Sequence, residues 1–94
     1  MAQHNLNSDL EQAILDLLAT RGPETTICPS EAAKRVADVN DTPQAWPALM
    51  EPVRAAARRL VAKGRILITQ QGSPVDPAAI HGAIRLKLRS RKFA

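Results

Sequence analysis

The sequence predicts a mainly α-helical domain with a small β-hairpin, of the winged helix-turn-helix type, in which three helices precede a two-stranded wing. Three observations predict it. Apolar residues recur at three- and four-residue intervals in three successive segments, which is the spacing of one helical face. After Gly64 that period changes from helical to alternating, the signature of half-buried strands. Ten of the 13 Lys and Arg residues lie between Val53 and Ala94, where Asp76 is the only acid. The 94 residues, 45% hydrophobic, suffice for one compact domain, expected to have its core within about 8–89 and flexible tails at 1–7 and 90–94. Aromatic content is only 2%, Trp46 and Phe93, so the core must be built from Leu, Ile, Val and Ala.

The first helix is expected from about Asp9 to Thr20, on the face formed by Leu10, Ala13, Ile14, Leu17 and Leu18. Ser8 and Glu11 fit a capping box, and Gly22 followed by Pro23 ends the helix. Ser30 is the expected N-cap of a second, short helix through Glu31, Ala32, Ala33, Val36 and Ala37. Its end lies near Val39, before the turn formers Asn40, Asp41, Thr42 and Pro43. Leu49, Val53, Ala56, Ala57 and Leu60 share the face of a third helix, closed by Gly64. Pro52 would break an interior hydrogen bond, so either this helix starts just before Pro52 or the stretch from Trp46 to Met50 is a separate turn leading into it.

Two strands follow. Ile66 and Ile68 alternate with Arg65, Leu67 and Thr69, and Ile84, Leu86 and Leu88 alternate with Arg85, Lys87 and Arg89. Paired as a hairpin, they place the five apolar residues on one side. Gly72 to Pro77 reads as a loop too long for a tight two-residue turn, with Asp76 bonding nearby amides or, alternatively, clamping Arg85.

The order helix, helix, helix, hairpin is that of a winged helix-turn-helix. Several phrases also carry a resemblance. Thr26-Ile27-Cys28-Pro29-Ser30-Glu31, Trp46 with Leu49-Met50, Val53-Arg54 with Ala57, Gly64-Arg65-Ile66 with Thr69-Gln70, Val75-Asp76-Pro77 and Gly82 with Ile84-Arg85-Leu86 together resemble an uncharacterised bacterial family, domain of unknown function 3253. The resemblance runs from the first helix to the second strand of the hairpin. It implies a small winged-helix domain and brings no assigned activity.

Charge directs the functional reading. Positions 1–52 hold three cations against eight acids, a balance of −5, and positions 53–94 hold ten cations against one, a balance of +9. A concentrated positive surface attracts polyanions, so nucleic acid is the expected partner, with duplex DNA favoured. Arg54 and Arg58, four apart, point the same way from the third helix, with Arg59 and Lys63 on the adjacent flank. In a helix-turn-helix the second helix of the pair enters the major groove, where arginine donates two hydrogen bonds to guanine. Arg85, Lys87 and Arg89 repeat at the two-residue spacing of one strand face, with Arg65 as a fourth member if the register allows. Such a wing would run along phosphates. The bland counterparts are a solvated helix face and an edge strand that uses charge to discourage pairing. If five to seven of these cations neutralise phosphates, the log–log salt slope of binding is roughly −4 to −6. An interaction module whose basic half meets an acidic protein is the alternative function.

Other chemistry finds little support. Ser30, His81 and Asp76 have the residue types of a nucleophilic triad without a nucleophile elbow. One cysteine and two distant histidines, His4 and His81, offer no zinc spacing. No phosphate-loop or dinucleotide motif occurs, so neither an enzyme, a cofactor nor a small-molecule substrate is expected. Cys28 reads as a small buried group at the entry to the second helix, with a redox role as the minor alternative, and Trp46 reads as an inter-helix plug. Single-stranded RNA binding usually stacks bases on aromatic side chains, which this chain almost lacks. Without a signal sequence, an apolar span or an added dimerisation helix, a cytoplasmic monomer is expected.

Overall fold

In a computed structural model of the chain, residues 5–80 and 82–89 are described. The elements are α1 (Leu6–Arg21), β1 (Thr26–Ile27), α2 (Pro29–Val39), a 3₁₀ helix (Pro43–Leu49), α3 (Met50–Ala62), β2 (Ile66–Gln70), β3 (Ser73–Pro74), a short 3₁₀ turn (Pro77–Ala79) and β4 (Arg85–Leu88). Three helices are thus joined to one antiparallel sheet of order β1-β4-β2-β3.

Local chemistry accounts for the helix ends, with two corrections to the sequence reading. Asn5, not Ser8, caps α1: its Oδ1 accepts from the Ser8 amide at 3.3 Å. Leu6 and Asn7, expected in the tail, are therefore helical. The Ser8–Glu11 capping box does not form, because Glu11 turns to two cations on α3. Gly22 ends α1 as expected, with φ 96° and its amide donating to Leu18 O at 2.8 Å. At α2 the cap is Cys28 rather than Ser30. Glu31 reaches back to accept from the Cys28 amide at 3.0 Å, its own amide donates to Cys28 O at 2.9 Å, and Pro29 fills the first helical position, where an amide would have no partner. Ser30 instead donates its hydroxyl to Cys28 Sγ at 3.1 Å.

Both options at Pro52 are realised together. A 3₁₀ helix carries Trp46 and runs into α3, whose third residue is Pro52, where the missing amide costs no helical hydrogen bond. Trp46 is half-buried against the core, and Lys34 Nζ lies 4.7 Å from its ring centroid. At the other end of α3 the chain forms a Schellman motif: the Gly64 amide donates to Val61 O and the Arg65 amide to Leu60 O, both at 2.9 Å, with Gly64 at φ 75°. The helix therefore stops where the glycine predicted it would, and the chain reverses into β2.

The two-stranded wing expected from the sequence is part of a four-stranded sheet. Ile66 pairs with Leu88 and Ile68 with Leu86, so the alternating apolar residues do share one face, as the hairpin reading required. β4 is also held on its other side by β1, through Thr26–Lys87 and Ile27–Leu86. The stretch taken as one long loop contains a tight turn after all. Gln71 and Gly72 both have positive φ, 52° and 86°, which is the demand of a two-residue hairpin turn, and Ser73 and Pro74 return alongside Gln70 and Thr69. Pro74 is tolerated because β3 is an edge strand. Asp76 behaves as the turn residue expected, its Oδ1 accepting from the Ala78 amide at 2.9 Å.

The core lies between the inner sheet face and the helices. Leu10, Ile14 and Leu18 of α1, Ile27 of β1, Val53 and Leu60 of α3, and Ile66, Ile68 and Leu86 of the sheet are each at most 1% exposed. Burying each such side chain contributes about 1.5–3 kcal/mol. Ala32 and Ala33 of α2 and Ala56 and Ala57 of α3 are fully buried in the same core, where small side chains let helices approach closely. The other sheet face is open in part: Arg65, Arg85 and Arg89 are exposed there, Leu67 and Lys87 are half-buried, and Thr69 is buried.

Candidate nucleic-acid interface

The eight cations singled out from the sequence are divided by the fold into those already engaged and those left on the surface. Residues directly opposed on antiparallel strands share a face, so the register places Lys87, Leu67 and Thr26 together on the outer side of the sheet, with Arg85 and Thr69 one step further along. Arg65 and Arg89 extend the same ladder beyond Ile66 and Leu88, and the Arg89 amide donates to Arg65 O at 3.2 Å. The Arg89 guanidinium lies over Gly64: Nη1 is 3.4 Å from the point where a Cβ on that glycine would stand. Arg65, Lys87 and Arg89 thus gather on one outer face, at the end of the sheet next to the C-terminus of α3. None of the three has an ion pair or side-chain hydrogen bond among the described residues.

Arg85, at the other end of β4, is exposed but already engaged. Its Nε donates to Thr26 Oγ1 at 2.9 Å and its Nη2 to Thr26 O at 3.1 Å, fastening β1 to β4. Asp76 does not clamp it. The nearby Glu31 carboxylate pairs with Arg21. That pairing is the largest cause of its lowered pKa, with the amide of Cys28 and the charge of Arg85 as smaller ones.

Helix α3 distributes its cations around its circumference. Arg54 leans toward the sheet and donates through Nη2 to Gly82 O at 2.9 Å. Arg59, about 140° further round the helix, faces α1. There its Nε meets Glu11 Oε2 at 2.5 Å and its Nη2 donates to Asn7 O at 3.3 Å. Lys63, one turn on, meets the other carboxylate oxygen, Glu11 Oε1, at 2.9 Å. The hydrogen bond from Arg59, then that from Lys63, holds the Glu11 carboxyl below its usual 4.5. Arg58 lies between these two flanks, exposed and without such a partner among the described residues. The expected basic face of α3 is therefore reduced to one guanidinium, with two cations tied to α1 and one to the loop before β4.

Sequence reasoning missed Glu11, Thr26 and the Gly82 carbonyl as partners. Glu11 carried a signal, an acid on the first helix with an unfilled role, but the local capping-box pattern claimed it. Nothing in the spacing of Thr26 or Gly82 announces contacts that span 59 and 28 residues.

Elsewhere, a shallow groove between α1 and α2 is lined by Asp9, Asp16 and Arg35 with Val36 and Val39, a mixed charge unsuited to a polyanion. Among the described residues no group of three His, Cys, Asp or Glu side chains is placed to hold a metal ion. Among the described residues no helix is long and apolar enough to cross a membrane. Cys28 is half-exposed, not buried as expected. His4, His81 and the basic tail after Arg89 lie outside the described residues.

Fold and site together define a small domain of three helices on a four-stranded antiparallel sheet whose outer face carries a cluster of cations without ion pairs among the described residues. The chain belongs to an uncharacterised family: the family model described as "Protein of unknown function (DUF3253)" matches residues 7–89. A comparison with curated proteins returns no match.

Proposed function

We propose that the domain binds nucleic acid, with duplex DNA favoured, on a winged-helix type of scaffold, through phosphate contacts from the outer sheet face. The observation that carries this reading is the adjacency of Arg65 and Arg89 with Lys87 on the same face, all three without a carboxylate partner among the described residues. Three helices followed by a β-hairpin, with α2 packed against α3, support the scaffold assignment. The long connection from α2 to α3 through a 3₁₀ helix and the added strands β1 and β3 depart from its simplest form.

Base reading by α3 is a smaller part of this proposal than the sequence alone would have it. Of the three cations on that helix and Lys63 at its C-cap, Arg58 alone stands exposed and unpaired among the described residues, and one guanidinium discriminates a base weakly without neighbours to fix it. Contacts to phosphate carry position and affinity, not sequence, so binding should be largely insensitive to base composition.

If Arg65, Lys87 and Arg89 neutralise phosphates, the salt slope for duplex DNA is roughly −3. Anisotropy titrations of labelled duplex, single strand and hairpin RNA at two salt concentrations test this. A duplex affinity that does not move with salt, or an R65A/K87A/R89A variant that binds as the wild type does, would remove the reading. In that event an acidic protein becomes the partner to seek for the same surface.

A further inference from the structure

We infer that Arg59 and Lys63 form a second phosphate site, held closed by the carboxylate of Glu11, which occupies it as an internal substitute for the anion. The inference rests on the nucleic-acid reading above and extends the same basic end of the molecule. Lys63, Gly64 and Arg65 are consecutive, and Arg89 lies over Gly64, so the pair borders the exposed cluster. Its geometry is that of an oxyanion cradle. One carboxylate oxygen takes Arg59 Nε at 2.5 Å and the other takes Lys63 Nζ at 2.9 Å. A phosphodiester offers the same two-oxygen edge to a guanidinium and an ammonium.

The contact is also placed where exchange is feasible. The side chains of Arg59 and Lys63 are 36% and 58% exposed, whereas Glu11 is only 16% exposed beneath them. A strand of phosphates arriving from solvent meets the cations first, and ion pairs with an exposed side are weak enough to exchange for it. Lys63 has no other partner among the described residues, while Arg59 keeps the Asn7 carbonyl at 3.3 Å, so Lys63 is the first to be released. Glu11 therefore withholds two cations from the polyanion and sets how tightly the domain holds it.

The test compares salt slopes of duplex binding. Glu11→Gln keeps the shape of the side chain and removes the competing charge. It should steepen the slope by about 2 and tighten binding about tenfold or more at low salt. Arg59→Gln with Lys63→Gln, leaving Glu11 in place, should change the wild-type slope little. The triple change E11Q/R59Q/K63Q should return the slope to the wild-type value. An E11Q slope equal to that of the wild type overturns the inference and leaves the surface reading intact. A loss of about 2 in slope for R59Q/K63Q also overturns it, because those cations would then already be on phosphates. If neither wild type nor E11Q binds any nucleic acid, both fall, and binding by E11Q alone supports the latch. Should E11Q fold poorly by circular dichroism, the R59Q/K63Q comparison decides.

Discussion

The backbone amide of Arg89 donates to the carbonyl of Arg65 across 3.2 Å, so two arginines stand side by side at the end of the sheet. Like charges directly opposed on neighbouring strands destabilise a sheet. Here neither is relieved by a carboxylate among the described residues, and the fold accepts that repulsion at a point where a phosphate would relieve it.

Replacing both by alanine should separate binding from folding. R65A/R89A is expected to lose about 2 units of salt slope. Its unfolding free energy should change by no more than about 0.5 kcal/mol, the usual range for surface changes, or rise slightly as the repulsion goes. Titration by anisotropy and urea unfolding followed by Trp46 fluorescence measure the two halves of this expectation.

Acid stability follows from two carboxylates. Glu11, under the hydrogen bonds of Arg59 and Lys63, and Glu31, paired with Arg21, both have folded pKa values below the ordinary 4.5. A lowered carboxyl pKa stabilises the fold fully above the unfolded value, and that stability is lost as pH falls through the folded value. Stability should therefore be flat from pH 7 to about 5 and decline below 4.5. E11Q and E31Q should each be less stable at pH 7 and show a shallower decline. Unfolding midpoints recorded at several pH values would contradict this if both variants declined as steeply as the wild type.

Leu86 sits on the central strand, fully buried, with Ile27 and Ile68 opposite it on either side. Leu86→Ala should cost about 2–5 kcal/mol, a lost transfer term plus the cavity left behind. Urea denaturation would show a lower midpoint at unchanged slope.

Gly64 tests the backbone. Its φ of 75° closes α3, and an added Cβ would meet the Arg89 guanidinium only at ordinary contact distance. The cost of Gly64→Ala therefore comes from the left-handed conformation, about 1–2 kcal/mol. Salt-dependent DNA binding should be kept. A variant as stable as the wild type would show that the turn relaxes more easily than the Schellman hydrogen bonds imply.

Much of this fold was legible because its signals are local. Gly64 marked the end of α3, and the alternation of Ile66, Ile68, Leu86 and Leu88 gave both the strands and the buried face. β1 was not legible, because two residues have no periodicity and Thr26-Ile27 becomes a strand only by pairing with β4. β3 was hidden by Pro74 and by a Gln71-Gly72 turn that lacks the usual Asn-Gly signal. The cations themselves were easy to find and their availability was not. Arg85, Arg59 and Lys63 each meet a partner 48 or more residues away, a distance over which spacing carries no information.

The strand order has a consequence for how the polypeptide matures. β4 separates β1 from β2, and Ile27 has no ladder neighbour except Leu86. A nascent chain leaving the ribosome can wind all three helices while the middle of its sheet is still missing, with two strand edges open to foreign pairing. Only when residues 85–88 emerge do the early and late parts of the polypeptide lock into one cooperative unit. The interval before that is when the domain is most in need of protection from its neighbours.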